Sequence, residues 1–158
     1  MHLLFVCTGN TCRSPMAEAL GRRIAMELGL DDVTVASAGT SAWDGAAASD
    51  GALLVAMEHG VDLNSHRAQS LSPALVQQAD LVLAMGSHHV ERALVLGGEG
   101  KTHLLTDYAS RGGDTSTVAD PFGGDLDAYR QTFVELESTI GRALARVVAD
   151  RGSRDERS

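Results

Sequence analysis

Four short apolar runs punctuate the chain, and apolar residues recur at helical spacing in the stretches between them. Residues 3–6, Leu-Leu-Phe-Val, carry no helical period and stop at the polar Thr8-Gly9-Asn10, the pattern of a strand buried on both faces of a parallel sheet. Ser14-Pro15 then supplies a side-chain cap and a first-turn proline. Met16, Ala19, Leu20, Ile24 and Leu28 mark the apolar face of the helix that follows, and Gly29 stops it. Residues 33–37 form the second expected strand, and 38–45 the loop leaving it. Ser49 caps a helix with Leu53, Leu54 and Met57 on one face, ended by Gly60, and Ser72-Pro73 opens a short helix through Gln78. The third buried strand falls at 81–85, with Val90, Leu94 and Leu96 marking the helix behind it and Gly97-Gly98 its end. Residues 103–105 make a weak fourth strand. From 125 to about 148, Leu126, Tyr129, Phe133, Leu136, Ile140, Leu144 and Val147 return every three or four residues and predict one long C-terminal helix.

Strands alternating with helices, each strand a continuous apolar run, predict an α/β fold: a four-stranded parallel sheet with helices on both faces. A chain of 158 residues fits a single domain, assigned to 1–149, and the charged, apolar-poor 150–158 is expected to form a disordered tail. Hydrophobic residues at 44% and charged residues at 22% are ordinary for a globular protein. Charge changes the picture more. Thirteen Lys+Arg against 21 Asp+Glu give −8, which opposes nonspecific attraction to nucleic acid or an anionic membrane, so any bound anion has to meet a local positive site. Cys7 and Cys12 are the only cysteines, too few for a disulfide framework and suited to a reducing compartment. The N-terminal apolar run has no basic lead and is far too short for a signal segment or a membrane span, so a cytoplasmic location is expected.

Open parallel sheets bind ligands beyond the carboxyl ends of their strands, which directs attention to the loop after Val6. It reads Cys7-Thr8-Gly9-Asn10-Thr11-Cys12-Arg13-Ser14, starting where a buried strand ends and finishing at a helix start. There backbone N–H groups and the helix dipole converge on one point and make an anion site without net positive charge. The same field stabilises negative charge on Cys7, and the thiolate is the nucleophilic form of a cysteine. Arg13 is placed to grip two phosphate oxygens at once and hold them as charge redistributes. The plainer alternative, a buried strand-end Cys with a surface Arg, leaves the small-residue loop between them unaccounted for. Cys12 is open between two readings, a small buried hydrophobe and a disulfide partner for Cys7. Expelling a poor leaving group from phosphorus calls for an acid. Asp120, in the Gly/Pro-punctuated segment DPFGG after the fourth strand, falls on the same rim, although a loop Asp of this kind is more often a turn former.

These segments, together with SAGT at 37–40, HRAQSL at 66–71 and ADLVLAM at 79–85, resemble the low-molecular-weight protein tyrosine phosphatase family over residues 1–149. The resemblance implies a four-stranded parallel α/β fold and a two-step hydrolysis. Cys7 would attack phosphorus while Arg13 and the loop residues Thr8, Gly9, Asn10, Thr11, Cys12 and Ser14 hold the phosphate. A phosphocysteine would form, and Asp120 would protonate the leaving group and then activate water. It also implies that Asn10, Ser14, Ser37 and His66 form a hydrogen-bond network shaping the loop; for His66 a merely structural place stays open. No metal or other cofactor is implied, and His59, His88, His89 and His103 are read as solvated or structural. The expected partners are a phosphorylated protein as substrate and inorganic phosphate as product, with no nucleic acid or membrane, and the expected state is a monomer.

Which residue carries the phosphate turns on Thr11. Most tyrosine-specific members have a large aliphatic residue there, whereas a hydroxyl on the pocket wall suits a guanidinium better than an apolar ring edge. The loop, DPFGG and the spaced Asp127-x-Tyr129 resemble the bacterial protein arginine phosphatases of the family, in which Asp120 would also pair with the substrate guanidinium. Trp43 falls in the loop where tyrosine-specific members carry an aromatic wall, and HRAQSL is closer to the general family; Trp43 and Phe122 suit stacking on either group. Phosphoarginine is favoured, with phosphotyrosine the alternative. Two other classes fit less well. A thioredoxin-coupled arsenate reductase needs cysteines beyond Cys12, and a noncatalytic phosphate-binding module has no use for Cys7, Arg13 and Asp120 together.

Overall fold

The computed structural model describes residues 1–157, in which β1 (His2–Cys7), β2 (Thr34–Gly39), β3 (Leu81–Ala84) and β4 (Thr102–Leu104) form one sheet of order β2-β1-β3-β4. Every pairing is parallel. Around the sheet lie α1 (Arg13–Glu27), α2 (Asp50–Glu58), α3 (Pro73–Gln78), α4 (Ser87–Val95), α5 (Leu105–Ser110) and α6 (Leu126–Arg157). Leu3 and Phe5 enter a large apolar cluster with residues of α1, α2, α5 and α6, while Leu4 and Val6 enter a second cluster with residues of α3 and α4. Successive strand residues point to opposite faces, so a strand covered on both must be apolar throughout. That is why residues 3–6 show no alternation.

The α/β architecture is the expected one, and the differences are local. β2 runs to Gly39, two residues beyond the expected end, and a bridge from Gly39 to Ser70 continues the pairing. β4 closes at Leu104, and Leu105 opens α5, a helix of 6 residues too short to leave a periodic signal. Ser49 and Ser72 cap α2 and α3 through their side chains as expected. The C-terminal helix does not end near 149: α6 continues to Arg157, over residues expected to lack order, and Ser158 lies outside the described residues. The charged segment is tied to the body at its start. Asp150 pairs with Arg111 and Arg146 at 3.4 Å each, and Arg151 pairs with Asp32 in the turn before β2. Helix propagation from an anchored turn costs far less than a new start.

Candidate active site

β1 ends at Cys7 and α1 begins at Arg13, so the connecting loop is held at both ends. Its carbonyls are anchored outward. Those of Cys7 and Thr8 accept the Thr40 and Ser41 N–H groups at 2.9 Å, that of Asn10 accepts His66 Nε2 at 2.7 Å, and that of Thr11 accepts the Ser49 N–H at 2.9 Å. The Cys12 carbonyl accepts the Met16 N–H at 3.4 Å, within the first turn of α1. A trans peptide sets each C=O opposite the next N–H. The N–H groups of Thr8, Gly9, Thr11, Cys12 and Arg13 therefore turn the other way, toward a cavity of about 240 Å³ lined by Cys7, Thr8, Gly9, Thr11, Cys12, Arg13, Asp120 and Phe122. Inward N–H groups in succession at a helix start make an anion cradle.

The anchoring depends on close approach at Gly39. A Cβ there would collide with the Thr8 carbonyl oxygen and lie 2.9 Å from the Asn10 nitrogen, so only glycine lets β2 press against the loop. Gly39→Ala is expected to displace the cradle and weaken binding of inorganic phosphate by about 10-fold or more, the scale of one charge-assisted hydrogen bond. Calorimetric titration checks this, and an unchanged affinity would show that the loop holds its shape without that contact.

Asn10 is the hub beneath the cavity. Wholly buried, it takes the left-handed φ of +56° that Asn tolerates better than most residues. Its Oδ1 accepts the Gln69 backbone N–H at 2.9 Å, a group that only donates, so Nδ2 must face the hydroxyls of Ser14 at 2.8 Å and Ser37 at 2.9 Å. Ser37 in turn donates to Glu18 Oε1 at 2.9 Å, and Glu18 pairs with Arg22 at 2.8 Å. Ser14 Oγ, accepting from Asn10, has its own proton left for Cys7 Sγ at 2.8 Å. An O–H aimed at sulfur supports negative charge there. Ser14 is therefore not the helix cap its place before Pro15 suggested. Cys12 occupies the N-cap without a side-chain cap bond, because the buried hydroxyl of Ser14 is committed to Cys7 and Asn10. The side chains of Asn10 and Ser14 belong to this network and not to the cavity lining.

Arg13 is 6% exposed; Nη1 donates to the Val118 carbonyl at 3.0 Å and Nη2 lies 3.6 Å from Asp120 Oδ2. The Asp120 side chain is half exposed, with Oδ1 accepting the Phe122 N–H at 3.1 Å. Val118 donates its own N–H to the Met85 carbonyl at 2.9 Å, which pins this loop to the end of β3 and so brings Asp120 to the cavity that Cys7 also lines. Cys12 is buried, its Sγ 3.2 Å from Ser49 Oγ and 3.5 Å from the Tyr129 hydroxyl, and both cysteines are free thiols. Burial raises the Tyr129 hydroxyl above the ordinary tyrosine range. His66 is half-buried and must carry its proton on Nε2, since the Asn10 carbonyl can only accept.

One expectation is placed differently. Trp43 is 85% exposed and lines no part of the cavity, whereas Phe122 does. His89, set aside as solvated or structural, is wholly buried with Nε2 2.8 Å from Thr8 Oγ1. Burial first, then the charges of His88 and Arg13, push its pKa down to about 4 against the opposing pull of Asp120, so the ring is neutral at neutral pH. Only its position just past the third strand, on the same rim as Cys7, hinted at this in the sequence. Glu18 and Gln69, which complete the Asn10 network, were given no role in the sequence reading, although Gln69 falls within HRAQSL. Among the described residues no three His, Cys, Asp or Glu side chains gather as a metal-ligand group. A wider groove of about 460 Å³ along Met26, Val33 and Val35 is lined by no cysteine or histidine.

The chain is similar to known proteins over nearly its whole length. The model of the family described as low molecular weight phosphotyrosine protein phosphatase matches residues 2–153. A protein-arginine-phosphatase of Bacillus subtilis is 41% identical over 153 residues, covering 96% of this chain and 99% of the other. The low molecular weight protein-tyrosine-phosphatase PtpB of Staphylococcus haemolyticus is 38% identical over 143 residues, covering 90% and 96%. The structure of YwlE arginine phosphatase from Geobacillus stearothermophilus superposes with a TM-score of 0.86 at 38% identity, covering 96% of each chain. A Cys-to-Ser variant of YwlE with a phosphorylated active-site serine superposes at 0.89, with 41% identity and 96% and 98% covered. Agreement of this length, over a chain whose strand-loop-helix start builds an anion cradle around a cysteine, makes this protein a member of the low molecular weight phosphotyrosine protein phosphatase family.

Proposed function

We propose that this phosphatase hydrolyses phosphoarginine in proteins through a phosphocysteine at Cys7. The observation that carries the substrate is the cavity wall. Thr11, Asp120 and Phe122 line it and Trp43 does not, so the wall is a hydroxyl, a carboxylate and one ring rather than an aromatic slot. A guanidino group hydrogen-bonds to the Asp120 carboxyl, meets the Thr11 hydroxyl and stacks on Phe122. The names of the relatives in Bacillus subtilis and Geobacillus stearothermophilus support the same substrate, and PtpB supports phosphotyrosine.

In the first step the Cys7 thiolate attacks phosphorus, the P–N bond breaks, and Asp120 gives its proton to the departing guanidine nitrogen. Arg13 and the inward N–H groups hold the non-bridging oxygens as charge shifts among them. In the second step the Asp120 carboxylate takes a proton from water attacking phosphorus, the S–P bond breaks, and inorganic phosphate leaves with the thiolate restored. Ser14 and the Asn10 network steady that thiolate. Two free thiols in one loop suit a reducing cytoplasm, and a site complete within one chain suits a monomer.

Side-by-side kinetics of the wild type and Thr11→Ile on phosphoarginine and phosphotyrosine peptides test the reading. The wild type should prefer phosphoarginine, and the variant should shift the kcat/KM ratio toward phosphotyrosine by about 10- to 100-fold, the scale of one hydrogen-bonding group exchanged for an apolar one. A wild type that already prefers phosphotyrosine would make this a tyrosine phosphatase with an unusual loop.

A further inference from the structure

His89 occupies a place the mechanism above leaves unused. It lies in the first turn of α4, just beyond the carboxyl end of β3, with no exposed surface. Its ring packs against His88 with centroids 3.8 Å apart, Nε2 is 2.8 Å from Thr8 Oγ1, and Nδ1 is buried without a hydrogen-bond partner. Thr8 itself lines the cavity beside Cys7 and Arg13.

We propose that His89 is a positioning residue for the phosphoryl cradle, donating Nε2–H to Thr8 Oγ1 and so freeing the Thr8 hydroxyl proton to donate to a phosphoryl oxygen. This rests on the reading of the Cys7 loop as the phosphate cradle. The ring is neutral and has a single N–H to place. With the proton on Nδ1, the interior would hold an orphaned N–H donor, and Thr8 would have to give its own proton to Nε2. With the proton on Nε2, only an acceptor lone pair is left bare, the more commonly tolerated defect. The anion decides in the same direction, because phosphoryl oxygens accept and do not donate. A dianion in the cavity therefore favours the relay from His89 through Thr8 to phosphate. Threonine suits the middle position, since branching at Cβ restricts χ1 and keeps the hydroxyl from swinging away.

A double-mutant cycle on p-nitrophenyl phosphate, with a thermal melt of each variant, tests this. Thr8→Val should lower kcat/KM by about 10- to 100-fold, the range for a hydrogen bond to a charged group, while Thr8→Ser keeps most of it. His89→Phe should cost about 5- to 20-fold, and His89→Gln, whose amide donates from a similar reach, should recover part. Because His89 acts only through Thr8, the double variant Thr8→Val with His89→Phe should fall no more than about 2-fold below Thr8→Val alone. A double variant at the product of the single losses overturns the proposal, as does an unaffected His89→Phe or a His89→Gln no better than it. If His89→Phe does not fold, His89→Asn, whose amide is too short to reach Thr8, takes its place in the cycle. Cys7→Ser assayed alongside separates the two levels: retained turnover sinks the reading of the Cys7 loop as the reaction site, whereas an inactive Cys7→Ser with an additive cycle sinks only the role of His89.

Discussion

Replacing Cys7 with Ser should lower kcat by about 10⁴- to 10⁶-fold, the loss seen when a covalent nucleophile is removed from an otherwise intact site. The fold should survive it. Cys7 closes β1 with 2% exposure, the replacement differs by one smaller atom, and a serine oxygen there still meets Ser14 Oγ. What changes is nucleophilicity. The arrangement around Cys7, with the Ser14 O–H aimed at it and α1 starting at Arg13, supports an anion on sulfur, but an alcohol gives up its proton far less readily than a thiol. Rapid mixing with p-nitrophenyl phosphate reads the outcome directly: a burst of nitrophenol in the wild type and none in the variant. A variant that turns over at a rate near the wild type would rule out attack by Cys7.

Asp120→Asn should lower kcat by about 10²- to 10⁴-fold on substrates with poor leaving groups, the usual contribution of a positioned acid and base. The amide keeps the volume and retains an oxygen for the Phe122 N–H, so the loop should hold its shape. It cannot supply a proton to the leaving group or take one from water. The effect should therefore vary with the leaving group. On p-nitrophenyl phosphate, whose leaving group needs no protonation, the first step should be nearly normal and the second slow, so the burst remains while steady-state turnover falls. On phosphoarginine peptides both steps should suffer, since the guanidine leaves poorly and loses its carboxylate partner. Equal losses on both substrates would assign Asp120 to binding alone.

The loop carrying Cys7 and Arg13 was legible because it is contiguous: a buried strand, small residues and a helix start stand in one short segment, and local rules suffice to place them. Ser14 was misread by one of those rules. A serine before proline is a good cap in isolation, yet here a sulfur 2.8 Å away and the Asn10 amide claim its hydroxyl. His88 and His89 are neighbours of one type, and only packing separates them, one exposed and the other buried on Thr8. Trp43 had the right loop but an outward side chain, and α5 was too short to register against the strand before it.

By itself the sequence determined the parallel α/β architecture and the single loop that carries Cys7 and Arg13 between the end of β1 and the start of α1, because strand burial, helix starts and glycine placement act over a few neighbouring residues. Only the tertiary structure decided that Asp120 reaches Arg13, that Ser14 faces sulfur, that Gln69 braces Asn10, and that His89 stands behind Thr8. Each of those contacts joins side chains whose meeting depends on how the strands, helices and loops pack, and no local pattern encodes a distance between separate elements.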